Sequence, residues 1–95
     1  MFIILLRFSE NKPRADEFMS GHKQWLKRGF AEGVFLLAGS LESGQGGGIL
    51  ATGGSRESIS QRVNEDPFVV ENVVTAEIIE LDPGMADERL NFLLS

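Results

Sequence analysis

The apolar positions along this chain change their period several times, and each change marks an element. Residues 2–8, FIILLRF, form a β-branched and aromatic run bounded by the polar SENKP, which predicts a strand. With a period of two, Phe2, Ile4, Leu6 and Phe8 line one face and Ile3 and Leu5 the other, so both faces are apolar. From Pro13 to about Glu32 the spacing becomes helical. Phe18, His22, Trp25, Leu26 and Phe30 recur every three to four residues, while Glu17, Lys23, Lys27 and Arg28 fall elsewhere. Pro13 suits the first turn of this helix and Gly33 the position just past its end. Gly21, inside it, costs about 1 kcal/mol relative to alanine and leaves a side chain missing beside His22.

Two strand-like runs follow, VFLLAGSL at 34–41 and GGILATG at 47–53, separated by ESGQGG and therefore read as a hairpin. SRESISQRV predicts a short helix with Ser55 as its N-cap and Ile59 and Val63 one turn apart. Asp66 and Pro67 are read as its end. NVVTAEIIEL at 72–81 predicts a last strand, Asp82, Pro83 and Gly84 a turn, and the tail 85–95 has weak helical character. The order β-α-β-β-α-β corresponds to the ferredoxin-like plan, an α+β fold with a four-stranded antiparallel sheet and two helices on one of its faces. The other face would be bare, and the two-sided apolar character of the first two strands makes it an interaction surface. A homodimer packed through these sheet faces is the expectation.

Composition narrows the functional classes. The 95 residues, 42% hydrophobic and 24% charged, suit one domain spanning residues 1–95. A domain this small buries only about 60 to 70% of its unfolded surface, and a second subunit is a common way to bury more. The net charge is −5, and the nine basic residues are scattered, so neither nucleic acid nor an anionic membrane is an expected partner. There is no cysteine, which excludes disulfides, thiolate nucleophiles and cysteine-held metals. The opening MFIILL meets Arg7 too soon to be a signal h-region or a membrane span, and a cytoplasmic protein is expected.

His22, the sole histidine, lies on the apolar side of the first helix, an unusual place for an ionisable group. It has two readings. In one the ring is a partly buried structural residue. In the other Asp66 holds one ring nitrogen and fixes the tautomer, while the second nitrogen faces a pocket and moves protons near neutral pH. General acid/base help of this kind contributes about 10²- to 10⁴-fold, enough for enolisation, tautomerisation or elimination on an activated substrate. Ser40 and Ser43 are the nearest nucleophile candidates, and neither has a G-x-S-x-G setting. If the pair is catalytic, His22→Ala is expected to leave the melting temperature nearly unchanged.

GQGGG at 44–48 lacks the features of a phosphate loop and is read as a mobile hairpin loop. TGGS, before the second helix, is read as an N-cap with a tight turn rather than an anion site. No metal or cofactor is expected, since His22 and Asp66 would need a further ligand such as Glu65 or Glu77. Trp25 and the phenylalanines are read as core or interface, with Phe68 also placed to wall a pocket beside Asp66. Glu77, among Val73, Thr75 and Ile79, is either a charge near the core or a sign of the opposite register.

GHKQWL on the first helix, then GVFLLAGSL, a glycine-rich hairpin, NEDPFV and a strand beginning NVV together resemble the YciI-like (YCII-related) family over nearly the whole chain. The most specific pieces are the helix histidine, the AGS segment and D-P-F. The resemblance implies a dimeric α/β barrel of ferredoxin-like protomers and a pocket shared by a histidine and an aspartate, here His22 and Asp66. Relatives in the wider superfamily are isomerases, monooxygenases or dehydrochlorinases of small cyclic or aromatic compounds, while most members of the family have no assigned reaction. Ser40 stands where the family commonly has proline, which alters the pocket rim and adds a hydroxyl. His22 and Asp66 are thus the candidate catalytic residues, and Ser40, Trp25 and Phe68 the candidate contacts for a small organic substrate.

Overall fold

A computed structural model describes residues 1–94. Its elements run β1 (Phe2–Phe8), α1 (Ala15–Ala31), β2 (Phe35–Ser40), β3 (Gly46–Ala51), α2 (Arg56–Val63), α3 (Pro67–Val70) and β4 (Val74–Glu80). The four strands form one antiparallel sheet in the order β2-β3-β1-β4. The fold is ferredoxin-like, as the alternating periods predict.

The period of two sorts β1 cleanly. Phe2, Ile4 and Leu6 are buried beneath the helices with Ile49 and Ala51 of β3, while Ile3 and Leu5 face the opposite side. Trp25 from α1, Phe35 at the start of β2 and Ile59 and Val63 from α2 complete the core. Gly29 is what admits Phe35 to it. A Cβ there would lie 2.0 Å from the phenylalanine ring, so only a glycine lets the helix backbone rest on that ring. The open face carries Ile3, Leu5, Leu37, Leu50 and Ile79, with Leu37 59% exposed.

Local sequence explains the element ends. A 3-10 turn over Lys12–Arg14 precedes α1, and Gly33, at φ 73°, takes the left-handed conformation that lets the chain leave it. Ser55 caps α2 as expected, in a reciprocal capping box with Ser58, so the TGGS stretch is indeed a helix start built around its own hydroxyls.

Two expectations need correction, and for Glu77 the register decides between the two readings left open. Asp66 and Pro67 do not close the second helix: α2 ends at Val63, and Asp66 is the N-cap of the separate helix α3, with Pro67 at its first position. Proline serves there because its missing N–H is one that a helix start leaves unbonded anyway. Gly46–Gly48 are not a mobile loop but the first half of β3, paired with β1 on one side and, at Gly47 and Gly48, with β2 on the other. Glu77 lies on the open face, where it forms a 2.7 Å ion pair with Arg7, so the register keeps it away from the core. The turn expected at Asp82–Gly84 is only a bend at Gly84. Among the described residues the tail beyond it contains a 3-10 segment, Glu88–Leu93, and is largely exposed; Ser95, its last residue, lies outside the described residues. No helix among the described residues is long and apolar enough to cross a membrane.

Candidate functional site

The site begins with a glycine. At Gly21 a Cβ would sit 3.0 Å from Cγ of Pro67, closer than side chains ordinarily tolerate. The bare backbone of α1 therefore lets the start of α3 settle against it. His22 is the next residue on α1 and Asp66 precedes Pro67, so this one close approach brings together two groups 44 positions apart.

His22 Nδ1 lies 2.8 Å from Asp66 Oδ1. The same oxygen accepts the backbone N–H of Phe68 at 3.0 Å, the bond that caps α3. A carboxylate oxygen only accepts, so Nδ1 carries the hydrogen and the lone pair of the neutral ring is on Nε2. Nε2 makes no hydrogen bond among the described residues and is not among their fully enclosed polar atoms. The His22 side chain is 14% exposed, and Asp66 is completely buried. Oδ2 of Asp66 has no partner among the described residues, so the buried carboxylate relies on His22 and on the Phe68 amide.

Packing holds the imidazole at a fixed angle. The Phe68 ring stacks on it face to face, with centroids 4.1 Å apart and planes 5° apart, and Trp25 lies at 5.8 Å. Two aromatic neighbours and one charge-assisted bond leave the ring little rotational freedom.

In front of His22 opens a cleft of about 330 Å³ between α1 and the sheet. Met19, His22, Lys23 and Leu26 line it from α1, Phe68 from α3, and Leu6, Phe8 and Val74 from the sheet. Its floor owes its depth to absent side chains. Across the covered face Leu6, Gly47 and Ser40 form one row, and the glycine between leucine and serine leaves a gap. Ser40, Phe68 and His22 thus border one cavity. Trp25 does not: it is 1% exposed, donates its indole N–H to the carbonyl of Arg62 at 2.9 Å, and supports His22 from behind. Asp66 likewise acts from behind the ring rather than from the cleft wall. Lys23 and the Gly46–Gly48 floor went unrecognised in the sequence. A lysine on a charged helix face carries no signal until the cavity beside it is known. Among the described residues no three histidine or acidic side chains gather as a metal site would require.

No protein-family model matches the chain, and no curated protein matches it by sequence. Its structure, however, is similar to that of the 5-chloro-2-hydroxyhydroquinone dehydrochlorinase (TftG) from Burkholderia phenoliruptrix AC1100, solved in complex with 2,5-dihydroxybenzoquinone. The two share a TM-score of 0.70 at 14% sequence identity, over 88% of this chain and 96% of that one. At such low identity the likeness establishes the common fold and nothing finer.

Proposed function

We propose that the protein is a YciI-like acid/base enzyme for a small cyclic or aromatic compound, with His22 as the proton-transferring group and Asp66 as the residue that orients it. The observation that carries this reading is the His22–Asp66 bond on the wall of an accessible cleft, which leaves Nε2 without a partner. In the reaction Nε2 takes a proton from a hydroxyl or an acidic carbon of the guest. Asp66, accepting from Nδ1–H, stabilises the positive charge that the ring then carries. Return of that proton elsewhere gives a tautomerisation; departure of a leaving group gives an elimination. The likeness to a dehydrochlorinase of a hydroxylated ring supports the second course, and Ser40, which borders the cleft, would offer its hydroxyl to a ring substituent.

The test is a panel of hydroxylated ring compounds, including 5-chloro-2-hydroxyhydroquinone, followed by absorbance and by chloride release. His22→Asn keeps an N–H where Nδ1–H now points but cannot shuttle a proton. Turnover is expected to fall about 10²- to 10⁴-fold while the protein remains folded. Asp66→Asn is expected to do similar damage by favouring the wrong tautomer. Undiminished turnover in His22→Asn would overturn the reading.

A second reading has one observation in its favour. Asp66 both caps α3 and binds α1 through His22, so the pair also fastens one helix to the other. In a purely structural or ligand-binding module, the wild type would turn over nothing in the panel, and His22→Asn would bind the same guests as the wild type.

The homodimer through the open sheet face belongs to the same proposal. Ile3, Leu5, Leu37, Leu50 and Ile79 form an apolar surface of the kind a monomer seldom leaves bare. Sedimentation at micromolar concentration should show a dimer and Leu37→Asp a monomer; a monomeric wild type would refute it.

A further inference from the structure

The cleft is charged in one sense only. Its ionisable lining residues are His22 and Lys23, and no carboxylate joins them, although acidic residues outnumber basic ones by 14 to 9 in the chain as a whole. Lys23 is exposed at the rim and has no ion pair among the described residues, whereas Arg7, Arg14, Arg62 and Arg89 each hold a carboxylate. The helix offers it none. Its neighbours three and four positions away are Met19, Ser20, Leu26 and Lys27. A lone cation at the mouth of a cavity with apolar walls draws anions, because low-dielectric walls concentrate its field.

The shape specifies the rest of the guest. The gap above Gly47 lies between apolar walls and beneath the imidazole-bearing helix, and its volume is near the lower end of ordinary ligand sites. A single planar ring suits it better than a branched or extended chain.

We propose that the cleft selects an anionic monocyclic ring compound, bearing a carboxylate or an ionised hydroxyl, and that Lys23 is the residue that makes the selection. The anionic substituent meets the ammonium group at the rim while the ring lies over the glycine gap, within reach of Nε2. This rests on the reading of the cleft as a substrate site and adds the charge of the substrate.

Calorimetric titration with three probes of similar shape tests it: benzoate, neutral benzamide and cationic benzylammonium. Wild type is expected to prefer benzoate over benzamide by about two- to fivefold, the scale of one exposed charge pair, and the preference should shrink with added salt. Lys23→Met, which keeps the apolar stem, should abolish the preference without weakening benzamide. Lys23→Arg should keep it, and Lys23→Glu should shift it toward benzylammonium. Equal binding of benzoate and benzamide by wild type, or an undiminished preference in Lys23→Met, would overturn the charge selection and leave the acid/base reading standing. Failure of all three probes to bind would remove the cleft as a ring site, and both readings with it.

Discussion

Three residues apart on one face of α1, His22 and Trp25 both reach across to the second helical region, and they do so to opposite effect. Trp25 is 1% exposed and gives its N–H to the Arg62 carbonyl near the end of α2. That bond satisfies a donor that would otherwise be buried unpaired, and its acceptor belongs to the backbone and never changes charge. His22 gives its Nδ1–H to a buried carboxylate at the start of α3 and keeps its far nitrogen toward a cavity. A carbonyl partner with closed packing makes a joint. A carboxylate partner with an open far side is the arrangement that the proposed proton transfer requires. What separates the two contacts is not the strength of the hydrogen bond but what lies on the other side of the ring.

Removing each ring sharpens the contrast. Trp25→Ala deletes a large, fully enclosed side chain and is expected to cost about 3 to 5 kcal/mol in urea unfolding. That is a large share of the roughly 5 to 15 kcal/mol that holds a small domain together. His22→Ala removes a smaller and partly exposed ring, yet the completely buried Asp66 then keeps only the Phe68 amide. A cost of about 3 kcal/mol is expected, in the range seen when one member of a buried pair is lost. This differs from the expectation that a catalytic His22 could become alanine with the melting temperature nearly unchanged, because the buried Asp66 carboxylate would lose its one side-chain partner; the urea midpoint of His22→Ala decides between the two. His22→Asn, which restores a donor, should recover most of the loss. If His22→Ala and His22→Asn unfold at the same urea concentration, Asp66 does not depend on this bond.

The order of elements was legible because β1, α1 and β4 are long enough for a period to show, and the two-sided apolar character of Ile3 and Leu5 against Ile4 and Leu6 announced the open face. The site was legible only in part. His22 stood out as an ionisable group among Phe18, Trp25 and Leu26. Asp66 was reachable through the resemblance, but its setting was not. PFVV is too short to display a helical period, and a proline after an acidic residue reads as a stop as readily as a start. The cleft was hidden for a more general reason. Its floor depends on the side chain missing at Gly47, as the approach of α3 depends on the one missing at Gly21, and an absent side chain has no periodicity. In a sequence, three glycines in a row signal looseness; between two paired strands they become a flat floor.

Gly29 and Gly21 sit two turns apart on α1 and mirror the same contrast. At Gly29 the added Cβ would meet the Phe35 ring at 2.0 Å, deep in the packed end of the molecule. Gly29→Ala is expected to destabilise the protein by about 1 to 3 kcal/mol through overpacking, despite a better helix former. At Gly21 the clash is milder, 3.0 Å to the Cγ of Pro67, and the next nearest atom is at 3.7 Å. Shifting α3 by a few tenths of an ångström relieves it, and the gain in helix propensity of about 1 kcal/mol offsets the strain, so Gly21→Ala should change stability by less than about 1 kcal/mol. The shift is not neutral for the site. Asp66 precedes Pro67 directly and must move with it, lengthening a 2.8 Å bond on which the ring's orientation depends. Gly21→Ala should accordingly alter the His22 ring signals in NMR while the melting curve stays almost in place. An unchanged His22 spectrum would mean that α3 absorbs the methyl group without carrying Asp66 along, and that the glycine is not what sets the distance between the two groups.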